Sequence, residues 1–166
     1  MSGIKSHVLH GASAVMKAST WPVACASGVY FPGDKNWSKY GFYMGFPASM
    51  KGDQAYSWCA AFVSWSARKA GIPTSKIPNY VYVPAGWNWF NSHGRLYLRS
   101  ELAKTKFRPK PGDIVFFRKG DQHHTGIVAT ADNSSFSTIE GNEGNKVAAG
   151  HYLYTSTWIY GFGANS

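Results

Sequence analysis

The sequence predicts an α+β domain, with helices in its first half and an antiparallel sheet in its second. Three observations carry that reading. Apolar residues fall at helical spacing in the segments around residues 4–18 and 59–70. After residue 110 the chain breaks into short apolar runs separated by Gly, Asn, Asp and Ser, the pattern of a strand meander. A length of 166 residues is enough for one core, burying roughly 68–70% of the unfolded surface. Helices first and strands after give helices packed on one face of a sheet of about five or six strands, and residues 1–166 are read as a single domain.

Each element follows from its residues. Ile4, Val8, Leu9, Ala12, Val15 and Met16 mark one face of a helix, which Pro22 ends. From Gly28 to Asp53 the chain is rich in Gly, Pro, Asn and Tyr without a sustained period, and reads as a long ordered loop of the functional kind. A second helix starts at Cys59 and runs to Lys69 or Ala70, stopped by Gly71 and Pro73. It is apolar on nearly all sides, as a buried central helix is. A short helix is expected around Gly86–His93 within the aromatic stretch from Pro78 to Ser100. Lys110-Pro111-Gly112-Asp113 is turn chemistry. The strand runs that follow are 114–117, 126–131, 136–140, 146–154 and 158–162.

The formal net charge is +9, and Arg95, Arg99, Lys104, Lys106, Arg108, Lys110, Arg118 and Lys119 crowd into one stretch. Such a field attracts polyanions: nucleic acid, an anionic membrane or an anionic cell-wall polymer. No nucleic-acid-binding signature accompanies it, which disfavours the first. Seven Trp and ten Tyr exceed what a small core needs; exposed, such rings stack on sugars or peptide planes, and buried they fill the core. Cys25 and Cys59 form no disulfide scaffold and no CxxC metal or redox site. The first residues, Met1 to Leu9, lack the apolar run of a signal peptide, and no stretch has the length of a membrane span.

The chemistry concentrates in three places. Cys59 stands at a helix onset, where unpaired backbone N–H groups and the helix dipole favour a thiolate. His124 opens the apolar strand Gly126-Ile127-Val128 and suits the role of a base that later protonates a leaving amine. By strand alternation His123 points to the opposite face. Glu140 closes the run Phe136–Ile139. A hairpin across Ala131–Ser135 brings it to the same end as His124, where it can hold the imidazole in one tautomer. Asn142 either supports the imidazole or substrate, or serves as a turn residue in Gly141-Asn142-Glu143-Gly144. Cys25 has no helix onset and carries no such reading.

These pieces together resemble the CHAP family of cysteine amidohydrolases and peptidases, within the papain-like NlpC/P60 group. Trp58-Cys59-Ala60-Ala61-Phe62-Val63-Ser64-Trp65 resembles its nucleophile helix, and Lys110-Pro111-Gly112-Asp113-Ile114-Val115-Phe116-Phe117 its first core strand. His124-Thr125-Gly126-Ile127-Val128 resembles its histidine strand, Ile139-Glu140-Gly141-Asn142 its acid segment, and Ile159-Tyr160-Gly161-Phe162-Gly163 its last strand. The likeness covers about residues 36–163 in order.

The resemblance implies a papain-like fold, no organic cofactor, and cleavage of amide bonds in bacterial peptidoglycan. By the same resemblance Cys59 is the nucleophile, His124 the base and then acid, Glu140 the orienting acid, and Asn142 an auxiliary. The oxyanion would be met by the Cys59 N–H and one further donor among Ser57, Tyr56 and Tyr40. Trp58, Trp87, Trp89 and Phe90 are candidate groove walls beside the thiol, against the more ordinary role of core filling, and Tyr40 is counted with Trp58, Trp87 and Trp89 among the expected substrate-binding residues. Some relatives bind calcium before the cysteine. Here Asp34-Lys35-Asn36 offers one carboxylate, and His7 and His10 have no zinc spacing, so no required metal is expected. The expected partners are peptidoglycan and anionic wall polymers, not nucleic acid, and the chain is expected to act as a monomer on the wall after release. A phage endolysin, an injected toxin or an autolysin domain would fit. The competing reading is a non-catalytic wall-binding module using the basic aromatic surface.

Overall fold

The computed structural model describes residues 38–45 and 57–165, and the backbone of two short segments, 23–25 and 28–30. The helix expected over 4–18, Asp34–Asn36 and Tyr56 lie outside the described residues. Val23–Cys25 (β1) and Gly28–Tyr30 (β2) pair as a small antiparallel ribbon. A short helix, Lys39–Tyr43 (α1), follows within the stretch read as loop.

The central helix, Cys59–Lys69 (α2), has the expected bounds. Gly71, at φ +73°, reverses the chain after it in the left-handed region that favours glycine. Val83–Ser92 (α3) starts three residues earlier than the sequence suggested, because Pro84 in its first turn supplies helical φ without losing a needed donor. Leu96–Leu98 (β3) is a strand the sequence reading missed, followed by a single 3-10 turn at Arg99–Glu101.

The remaining strands are Ile114–Lys119 (β4), Gln122–Ala131 (β5), Ser135–Glu143 (β6), Lys146–Leu153 (β7) and Ile159–Gly163 (β8). They complete a six-stranded antiparallel sheet in the order β3-β8-β4-β5-β6-β7, so the fold is α+β of the expected papain-like kind. From β4 to β7 it is the expected meander. β8 departs from that pattern: it crosses back to lie between β4 and β3.

Two apolar layers hold the sheet. Ile114, Phe116, Ile127 and Ile139 face the helices and meet Phe62, Trp87 and Phe90. Val115, Phe117, Val128, Phe136 and Phe162 face the other way. This is why β4 reads as a continuous apolar run rather than an alternating one. On that second face the Tyr152 ring of β7 comes within 4.7 Å of the Phe117 ring of β4, although two strands lie between them. The sheet is therefore strongly curled, and this face is its concave side.

Buried Asp113 ties the turn before β4 to the end of the chain. It accepts the Lys110 N–H at 2.8 Å and the Asn165 N–H at 3.0 Å. Among the described residues no helix is long and apolar enough to cross a membrane.

Candidate active site

Cys59 is the first residue of α2, and the first helical bond runs from the Phe62 N–H to the Trp58 carbonyl at 2.9 Å. The N–H groups of this turn, that of Cys59 included, have no intrahelical partner, and their field favours an anion. The helix packs on β5 and β6, which carry the other two groups.

His124 and Glu140 share the concave face. Phe117 pairs with His124, and Gly126 pairs with Glu140. The His124 Nε2 lies 2.7 Å from the Glu140 Oε2, leaving Nδ1 as the nitrogen available to the sulfur. The β5–β6 ladder stops at Gly126–Glu140, and β6 bulges between Glu140 and Glu143. The start of α2 enters at this open end. There the thiol is in hydrogen-bonding contact with His124 and accepts the Thr125 N–H. His123 turns to the other face, as alternation requires, with its ring 5.1 Å from that of Trp87.

The electrostatics follow from these contacts. Burial opposes ionisation of the Cys59 thiol, but hydrogen bonds from His124, Ser57 and the Thr125 N–H outweigh it and lower the thiol below its ordinary value. Burial likewise opposes charge on His124, yet the thiol on one side and Glu140 on the other push it up to about 10. Both shifts favour the charged forms, a thiolate on Cys59 and an imidazolium on His124.

Glu140 is 0% exposed, and its two oxygens are both used. Oε2 meets His124, while Oε1 accepts a short hydrogen bond from the Thr138 hydroxyl. The half-buried Tyr152 hydroxyl also bonds this carboxylate; burial first, and then the Glu140 charge, raise the phenol above its ordinary value. Sequence reasoning missed Thr138 and Tyr152. Alternation does place Thr138 on the Glu140 face, but Tyr152 depends on a register that the bulge shifts.

Asn142 does two things at once. It occupies the bulge at φ +64°, a conformation asparagine tolerates, and its amide donates to the Ser57 hydroxyl at 3.0 Å. Ser57 Oγ is in turn 3.6 Å from the Cys59 sulfur. The hairpin turn itself is Gly144-Asn145, both at positive φ, one step beyond the turn expected from sequence. Of the proposed oxyanion donors, Ser57 stands beside the thiol, and Tyr56 lies outside the described residues.

Several expectations need correction. Trp58 is 0% and Tyr40 3% exposed; their rings stack 5.1 Å apart and fill the α1–α2 contact, so neither is a groove wall. Trp87 is 8% exposed and packs on Phe116 and Tyr160. Phe90 is fully buried. Trp89 remains half-buried, but its ring is stacked on His93 and covered by Arg95. Cys59 itself is 1% exposed rather than open in a cleft, and exposed Ser57 and Glu143 form the outer side of the cluster.

His124, Glu140 and Glu143 place potential metal-ligand atoms within 4.8 Å of one another. A cation there would have to break the His124–Glu140 bond, so this donor set fits a catalytic pair better than a metal centre.

Comparison with known families settles the class. The family model described as the CHAP domain matches residues 51–142, more than half of the chain. This chain belongs to the CHAP family. CHAP domains are typically cysteine- and histidine-dependent amidohydrolases or peptidases. Curated proteins give no match. Among solved structures the chain is similar to the one titled "The crystal structure of Ly7917", at 13% identity and a TM-score of 0.49, over 95% of this chain and 61% of that one. The chain thus spans about three fifths of the length of that one.

Proposed function

We propose that this CHAP domain is a peptidoglycan hydrolase that cleaves an amide bond in the peptide stem or cross-bridge, with Cys59 as nucleophile. The observation that carries this reading is the His124–Glu140 bond of 2.7 Å beside a thiol at a helix N-terminus. In the first step the Cys59 thiolate adds to the carbonyl carbon, and the carbonyl electrons move to oxygen. The oxyanion is met by the Cys59 N–H and the Ser57 hydroxyl. The tetrahedral adduct collapses, the C–N bond breaks, and His124 gives its proton to the leaving amine, producing a thioester. Water then attacks with His124 as base, releasing a carboxylic acid and restoring the thiolate. Glu140 holds the ring in place and stabilises its charge, and Asn142 positions Ser57.

Trp58, Tyr40 and Trp87 are buried and offer no stacking surface to a purely wall-binding module. Action on the bacterial wall as a monomer, as a phage endolysin does, is the role this reading favours. The test is mass spectrometry of soluble fragments from purified walls treated with the protein and with Cys59→Ala. New N-terminal alanine marks cleavage next to the sugar; freed glycine or a D-residue marks an endopeptidase. Equal fragment release by the Cys59→Ala protein would overturn the reading.

A further inference from the structure

Tyr80 lies in the segment between α2 and α3 and has no part in the steps above, yet it is tied to both elements that carry the reacting pair. Its backbone is held to α2. The Tyr80 N–H donates to the Ser64 hydroxyl at 2.9 Å, and that hydroxyl donates to the Tyr80 carbonyl at 2.7 Å. Its side chain reaches β5, where the phenol oxygen is 3.4 Å from the Thr125 hydroxyl oxygen. Thr125 gives its own proton to the Val115 carbonyl of β4 at 2.8 Å, so the phenol is the donor. Ser64 and Thr125 are 0% exposed and Tyr80 5%. The ring is seated against Gly86 of α3, where a Cβ would meet it at 2.6 Å. A core that needed only filling would be served by phenylalanine and valine. Buried hydroxyls are costly unless each has a partner, and these three do.

We propose that Tyr80 is a positioning residue, which sets α2 against β5 so that the Thr125 N–H and the His124 ring stay on the Cys59 sulfur. The Thr125 N–H belongs to the same planar peptide unit as the His124 carbonyl, so a hold on Thr125 fixes both groups that support the thiolate. Ser64 lies on α2 less than two turns beyond Cys59. The two ends of the Ser64–Tyr80–Thr125 chain are therefore close, along rigid backbone, to the two halves of the reacting pair. The other titratable groups around the sulfur have different roles. His124 and Glu140 form the charged pair, Glu143 lies on the exposed outer side, and Tyr152 bonds Glu140. Burial first, and then the Cys59 charge, raise the Tyr80 phenol well above its ordinary value, so it remains a donor throughout the range in which the pair is charged.

The test uses the full chain with Tyr80→Phe, which keeps the ring and the Ser64 bonds, and with Thr125→Val and Thr125→Ser, which remove and retain the hydroxyl. Urea unfolding shows whether each variant folds. Iodoacetamide modification of Cys59 across pH, followed by mass spectrometry, needs no substrate; turnover is measured on a soluble peptide fragment of the wall. In Tyr80→Phe and Thr125→Val the midpoint of Cys59 alkylation is expected to rise by at least about half a pH unit. In the same variants kcat is expected to fall about tenfold with KM within about twofold. Thr125→Ser is expected to stay near the unsubstituted protein in both. Ile72→Val, a buried substitution just past the far end of α2, controls for lost packing and is expected to leave the alkylation midpoint in place. An unshifted midpoint in folded Tyr80→Phe, equal effects of Thr125→Ser and Thr125→Val, or the same shift in Ile72→Val would each overturn the proposal. If Tyr80→Phe does not fold, the two Thr125 variants decide it. The turnover arm rests on the proposed hydrolase function and the alkylation arm does not. Shifted alkylation in a protein that never cleaves walls would leave Tyr80 its role and defeat the hydrolase reading.

Discussion

Gly126 lies opposite Glu140 across the β5–β6 ladder, and the carboxylate side chain occupies the space a Cβ would fill. A Cβ at Gly126 would meet the Glu140 Cγ at 2.6 Å. Gly150, on the other flank, leaves room for the Glu140 Oε1 in the same way, with a Cβ contact of 2.5 Å. Two glycines thus make a slot in the sheet for one buried acid.

Gly126→Ala should therefore displace Glu140 and break its bond to His124. The expected result is a loss of about 1–3 kcal/mol of stability and a fall in kcat of at least about tenfold. Urea unfolding and turnover on purified walls check both. Unchanged turnover would show that Glu140 has no part in holding the ring.

Glu140→Gln keeps the shape and removes the charge that supports the imidazolium. Turnover should fall by about 10²–10⁴-fold with little change in KM. The measurement is kcat and KM on a soluble peptide fragment of the wall.

Thr138→Val removes a hydroxyl that donates to the buried Glu140 Oε1 and should cost about 1–3 kcal/mol in urea unfolding. Thr138→Ser, which retains the donor, should lose clearly less.

Activity should follow a bell in pH. The acid limb falls as the Cys59 thiolate takes up a proton, below the ordinary thiol range because the thiol is lowered. The alkaline limb falls as His124 loses its proton, near pH 10 because the imidazolium is raised to about 10. Between them the pair is charged and kcat/KM should be flat, as measured by initial rates across the range.

Much of this arrangement is legible in the sequence, because the signals are local. Helical spacing and the Gly71–Pro73 stop give α2 its bounds, and turn residues separate the strands of the meander. Strand alternation separates His123 from His124. The sequence is silent where the outcome depends on long-range register. Nothing local says that β8 crosses back beside β4, or that the bulge after Glu140 moves the hairpin turn to Gly144-Asn145. The aromatic residues show a second limit. Trp58, Tyr40 and Trp87 have the chemistry of a sugar platform, but packing against α1, α2 and the sheet decides that they are core. The glycines around Glu140 carry no signal of their own until the register places them opposite it.

Alkylation of Cys59 across pH reads its charged pair with His124 most directly. Iodoacetamide modification should be followed residue by residue by mass spectrometry, which separates Cys59 from Cys25, in the protein and in His124→Gln. Cys59 should react as a thiolate below the ordinary thiol range, and His124→Gln should return its titration toward that range. Titration of Cys59 in the ordinary range in both proteins, or no modification at any pH while the fold is retained, would contradict it.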